Sequence, residues 1–381
     1  MKMKKILGVV LSLAMAAMMS VTAFAEEPEQ TEAFDINSVG ISKILKVADG
    51  IDISNINKFD FSFTGVDGTN TVASEAGDKN VSITVGEPSN GLAVGTLTFG
   101  EIFGDVSNYK HAGEYVYNVK ETTKGFSSSD ANSEKELTVD SSEYKVRLFV
   151  ANEPDGEGVS YSKIIVEKGD EKVDPTIREI TITEDPDTHS TVTASGANFI
   201  NTYKELVKGD SDSPVLKVEK LITGKYSDKT MNFSVSVVFT IPDTATKEDV
   251  VAVSKGSNRV RIAWQGKKGT FTTDLSDSES IVFTKIPAGT TFIVKETQDE
   301  NYKSKITGFV ANPDNDYVVG NREENGAGPI VEKDNNVTIE NNSDTTVPTG
   351  IAINNLPYIA LVTVAVAGLA FFVIKKVARK N

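Results

Sequence analysis

Residues 117–122 read YNVKET, and residues 292–297 read FIVKET. The letters VKET close two aromatic-containing runs far apart in the sequence. Residues two apart on a strand share a face. Tyr115, Tyr117, Val119 and Glu121 therefore line one face of the first run, and Phe292, Val294 and Glu296 one face of the second. Both runs alternate as half-buried strands do, and both set a carboxyl group on the apolar row.

Working outward, the same alternation recurs in FDFSF (59–63), VSITV (81–85), YKVRLFV (144–150), SKIIVE (162–167), EITITE (179–184), FSVSVVFT (233–240), RVRIAW (259–264) and SIVFTKI (280–286). Thr, Val, Ile and Phe dominate these runs, and Gly, Asn, Asp and Ser clusters separate them. GEIFGDVSNY (100–109) makes a helical turn at most. The body therefore reads as all-β, with strand spacing that points to immunoglobulin-like sandwiches. ELVKGDSDSPV (205–215) is polar, carries Gly209 and Pro214, and reads as a linker between domains at 26–204 and 216–344.

Each half repeats one order of signals. VGISKIL (39–45) and LKVEKLI (216–222) open the halves, placing Lys43 and Lys220 on apolar rows. ANFINTY (197–203) and VTIENN (337–342) close them, placing Asn201 and Asn341 on rows with Phe199 and Ile339. Taken singly, such a lysine snorkels at a sheet edge and such an asparagine starts a turn. Recurrence of all three residue types in one order argues for a shared purpose.

That purpose is an intramolecular amide bond. Burial disfavours an ammonium, leaving a neutral nucleophilic amine, and it disfavours a carboxylate, leaving a proton-holding acid. Beside an asparagine, such an acid polarises the amide carbonyl and shuttles protons. The amine attacks the amide carbon, ammonia leaves, and proximity supplies most of the rate without cofactor or metal.

The ends give the compartment. MKMKK, an apolar run and VTAFA form a signal peptide over 1–25. Leu356–Ile374 is long and apolar enough to span a bilayer, and KKVARK after it keeps the tail inside. Before the span stand Val347, Pro348, Thr349 and Gly350. This VPTG resembles the LPXTG sorting signal that sortases cleave, with Val for Leu and one residue fewer. The stretch 345–381 is thus read as sorting signal, transmembrane helix and basic tail.

At these residues the protein resembles the Gram-positive sortase-assembled major pilins, of the streptococcal type with two isopeptide-linkage domains. The resemblance implies two CnaB-type sandwiches. It pairs Lys43 with Asn201 under Glu121, and Lys220 with Asn341 under Glu296. Lys46 also lies near the first site; the row shared with Val39 and Ile41 favours Lys43. The resemblance implies cleavage between Thr349 and Gly350 by a class C sortase and attack by a lysine of an identical subunit. EKGDEKVDP (167–175) points to Lys172 for that role, with Lys168 and Lys204 as alternatives and an insertion at about 174–195 following. Minor pilins and peptidoglycan are further implied partners of an extracellular, wall-anchored pilus.

Two other functions compete with this one. A wall-anchored adhesin or minor pilin would use the same domains singly. An exported enzyme would need a catalytic set, and the acidic loops DSDSP (210–214) and NPDND (312–316) read as turns rather than calcium loops. His111 and His189 lack metal-ligand neighbours, so no metal is expected. The net charge of −15 argues against nucleic acid, and an exported protein without cysteine has no disulfides to staple it.

Overall fold

The computed structural model describes residues 34–344, apart from 69–70, 73–76, 155, 186–187, 255–257, 260–261, 309–316 and 319–324. The signal peptide at 1–25 and the sorting residues Val347, Pro348, Thr349 and Gly350, with the apolar span after them, lie outside the described residues. Among the described residues no helix is long and apolar enough to cross a membrane. Strands dominate. The stretch 100–109 contributes the short helix Phe99–Phe103, which opens on a Thr98–Glu101 capping box, and one 3-10 turn, Val106–Asn108.

The first half is two facing sheets. One runs Glu171–Val173, Val159–Lys168, Glu143–Asn152, Gly113–Glu121, Lys58–Gly65, Lys79–Thr84. Period-two alternation aims Phe59, Phe61 and Phe63 into the core, with Tyr115, Tyr117 and Val119 from the neighbouring strand. Full burial of a large apolar group of this kind contributes about 1.5–3 kcal/mol. The facing sheet sets Gly40–Lys46 between Leu92–Thr98 and Asn198–Lys208. Phe199 closes the core from that side, with its ring centroid 4.9 Å from Phe61 and 5.0 Å from Tyr144.

The first and last strands of this half pair in parallel, with Lys43 opposite Phe199 and Leu45 opposite Asn201. In the second half Leu216–Thr223 pairs in parallel with Asn335–Asn342, placing Lys220 opposite Ile339 and Ile222 opposite Asn341. Each asparagine therefore stands opposite the residue two beyond the lysine. Its sheet faces Phe233–Thr240, which lies between Lys268–Leu275 and Thr290–Glu296.

The insertion at about 174–195 folds as a hairpin, Arg178–Asp185 with Thr188–Ala194. Ile182 and Ala194 pack on Ile44 and Leu92, covering the outer face of the Lys43 strand. Both faces of Gly40–Leu45 are consequently buried, and the Ser195 N–H donates to Ser42 Oγ at 2.7 Å.

The joint between the halves corrects the linker expected at 205–215. Residues 205–208 belong to the strand Asn198–Lys208. Leu206, Val207 and Lys208 pair with Pro287, Ile286 and Lys285 of the second half. Leu216–Glu219 continues along the same edge, opposite Phe283–Ser280. Between them the Gly209 N–H donates to Thr284 O and the Val215 N–H to Phe283 O, both at 2.9 Å. Asp210–Pro214 is thus a bulge looped out of a nearly continuous strand, closed by Asp210 Oδ1 accepting from the N–H groups of Asp212 and Ser213. Polar composition marked the segment as a linker, but a buried Val207 and two pairing edges hold it in the sheet. Among the described residues one sheet of twelve strands passes through both halves. Gly289, at φ 87°, lets the second half approach Ala48 so closely that a Cβ there would lie 2.2 Å from the alanine Cβ.

Candidate functional site

In the first half, alternation turns Ile41, Lys43 and Leu45 toward the core between the sheets. Lys43 Nζ donates to Glu121 Oε2 at 2.8 Å and to the Phe199 carbonyl at 3.3 Å, and it lies 4.8 Å from the Phe59 ring centroid. Both charged side chains are 0% exposed. Burial pushes the Lys43 ammonium down to about 8, against the pull of Glu121 and Asp140, which favour the charged form.

Asn201 completes the cluster. Its Nδ2 donates to Glu121 Oε1 at 2.7 Å, so the carboxyl group touches the amine with one oxygen and the amide nitrogen with the other. Its Oδ1 accepts the backbone N–H of Asp140 at 2.8 Å. A backbone N–H only donates, so this contact fixes which amide atom is the oxygen. The sequence placed the carboxyl group on the amide carbonyl; the structure places it on the NH2 and gives the carbonyl to Asp140. Asp140 is held in turn by its own carboxylate, which accepts the N–H groups of Ile200 and Ser142, each at 2.8 Å. Sequence alone does not single out Asp140, because its local signal, VDSSEY (139–144), reads only as a turn.

The second half builds a related cluster. Lys220 Nζ lies 2.6 Å from Glu296 Oε2 and 4.3 Å from the Phe233 ring centroid. Burial again lowers the lysine pKa, with Glu296 opposing. Here Glu296 Oε1 accepts from Ser304 Oγ at 3.2 Å, and Ser304 is paired opposite Asn341. Asn341 is 0% exposed, and neither of its amide atoms has a hydrogen-bond partner among the described residues. Such a buried unsatisfied amide costs about 1–3 kcal/mol.

The remaining candidates lie apart from both clusters. Lys46 sits at the end of its strand, partly exposed and of opposite parity to Lys43. Lys172 is exposed on the edge strand Glu171–Val173, opposite Glu167. Lys168 is exposed beside the Tyr144 ring, and Lys204 is half-buried. Of the acidic loops, 210–214 forms the bulge at the joint, and 312–316 lies outside the described residues.

Two facing β-sheets with a lysine, a glutamate and an asparagine buried between them define a class of domain suited to internal amide cross-linking. Residues 39–204 match the family model described as the Spy0128-like isopeptide containing domain. Residues 214–343 match a domain of unknown function, DUF7601. A curated pilin of Streptococcus pyogenes serotype M1 is 30% identical over 194 residues, which is 47% of this protein and 56% of that one. The match thus spans little more than half the length of the curated relative. Among solved structures, the major pilin protein T-13 of S. pyogenes serotype GAS131465 is 17% identical, with 80% of this protein and 97% of that one aligned and a TM-score of 0.29. The pilus-presented adhesin Spy0125 (Cpa) is 11% identical, with 80% and 100% aligned and a TM-score of 0.28. Superpositions this loose carry no weight for function. The family match and the curated relative support the resemblance to streptococcal-type pilins.

Proposed function

We propose that this protein is a structural subunit of an extracellular pilus shaft, cross-linked within each half by a Lys–Asn isopeptide bond. The supporting observation is the Lys–Glu pair buried beside an asparagine, built twice at the same strand offset. In the first half the Lys43 amine passes a proton to Glu121 and attacks Asn201 Cγ. The new C–N bond forms, the Cγ–Nδ2 bond breaks, and Nδ2 leaves as ammonia with the proton relayed by Glu121. Lys220, Glu296 and Asn341 take the same roles in the second half. The protein is consumed as its own substrate, once, so it is not an enzyme. Each bond joins the first strand of a half to its last and closes a loop of most of that half, a constraint of about 4–5 kcal/mol in the loop-entropy model.

Polymerisation on this reading breaks the Thr349–Gly350 peptide in a class C sortase and joins the Thr349 carbonyl to a lysine of the next subunit. Lys172, exposed on an edge strand, suits that role. The decisive experiment is the intact mass of the purified protein. A deficit of two ammonia molecules is expected, and Glu121→Ala and Glu296→Ala each restore one. A wild-type protein at full sequence mass overturns the cross-linking. A ladder of covalent multimers in boiled cell-wall extracts is expected of a shaft subunit, and a single band argues for singly displayed protein instead.

A further inference from the structure

We propose that the backbone N–H of Asp140 is the oxyanion donor for the first cross-link, and that the Asp140 carboxylate positions it. The inference rests on the isopeptide reading above. When an amine adds to Asn201 Cγ, negative charge gathers on Oδ1, and a donor already aimed at that atom stabilises the transition state without rearranging. The Asp140 N–H is 2.8 Å from Oδ1.

Three features make this a built arrangement. Asn201 is 0% exposed, so water does not compete for the oxygen. The donor is a backbone group fixed from both sides, since Asp140 Oδ2 accepts the N–H of Ile200, the residue before Asn201, and Oδ1 accepts from Ser142. With Oδ1 turned to Asp140, the NH2 is left facing Glu121, which is where a proton must arrive for ammonia to leave. The same contact therefore polarises the carbonyl and orients the leaving group. The charge of the Asp140 carboxylate works the other way, because it favours the protonated form of Lys43. What promotes the reaction is the N–H, and what opposes it is the anion.

The two contributions separate by substitution. Asp140→Asn keeps the N–H and one side-chain oxygen for the Ser142 N–H, while removing the charge and the second oxygen that accepts from Ile200. Asp140→Pro removes the N–H together with the carboxylate. An amide-to-ester replacement at the same position exchanges the N–H for an oxygen while keeping the carboxylate, and serves where proline disturbs the turn. Full-length protein is made by cell-free synthesis, sampled over time, and mapped for each cross-link by peptide mass, the second bond serving as an internal clock and folding control. Loss of the N–H, by proline or by ester, is expected to slow the first bond by about 10²-fold or more while the second forms on schedule. The asparagine variant, which keeps the donor and gives up one of its two side-chain anchors, is expected to react far faster than either variant lacking the N–H. An ester variant whose first bond forms at the wild-type rate overturns the proposal, and so does an asparagine variant as slow as the proline one, since the carboxylate would then be the working group. Absence of both bonds from the wild-type protein is a different result, the failure of the isopeptide reading itself.

Discussion

Lys43 meets influences of opposite sign: a dry core that expels its proton, and two carboxylates that retain it. In a variant that cannot cross-link, Asn201→Ala, this has a measurable consequence. Folded Lys43 titrates near 8 and the unfolded residue near its ordinary 10.5, so between those values the unfolded state binds more protons. Stability of the uncross-linked variant should rise with pH from about 8 to about 10.5, by on the order of 3 kcal/mol. Denaturation midpoints of Asn201→Ala against Lys43→Met/Asn201→Ala isolate the contribution, and parallel pH profiles for the two count against it. At this scale much was legible. Parity along GISKILK (40–46) separated Lys43 from Lys46, and parity along YNVKE put Glu121 on the core face. Asp140 was not legible, because what it contributes is a backbone N–H. No residue type encodes that, and the turn presenting it lies 61 residues from its acceptor.

The strands and turns explain why two similar clusters should behave differently. The parallel first-to-last pairing offsets lysine and asparagine by two residues in both halves, a relation no single run of sequence displays. Around it the neighbours differ. Asn201 is held by Glu121 and Asp140, whereas Asn341 has no such holders among the described residues, and the second oxygen of Glu296 is occupied by Ser304 on the adjoining strand. The first bond should therefore form before the second. Peptide mapping during synthesis should find a singly cross-linked intermediate carrying Lys43–Asn201; one carrying Lys220–Asn341 would contradict this. At the joint, Gly209 is required by packing, since a Cβ there would lie 2.3 Å from the Ser213 carbonyl oxygen. Gly209→Val should cost about 1–3 kcal/mol through backbone displacement, read as a lower thermal midpoint. The hairpin over the Lys43 strand was visible as an insertion. Its seat was not, because Ile44 and Ile182 are brought together only by the folded sheet.

For the whole molecule, the all-β class of the two halves was legible from alternation and punctuation. Their union was not, since Gly, Asp and Pro mark a bulge and a linker alike. The amides of Gly209 and Ala288, which donate across the joint, should exchange with solvent slowly, on the scale of the core strands. Rapid exchange there would mean that the halves part readily. The salt bridge from Lys285 to Glu134, at 2.8 Å, adds a contact beside the same seam. The shared sheet also bears on how such proteins diversify. Recombination at residue 209 would not exchange an independent module, because the second half takes three residues of its pairing from Leu206–Lys208. An incoming second half would have to bring an edge matching that strand, or leave Lys285–Pro287 as an open edge inviting foreign sheets. The two halves are therefore expected to be inherited as a pair.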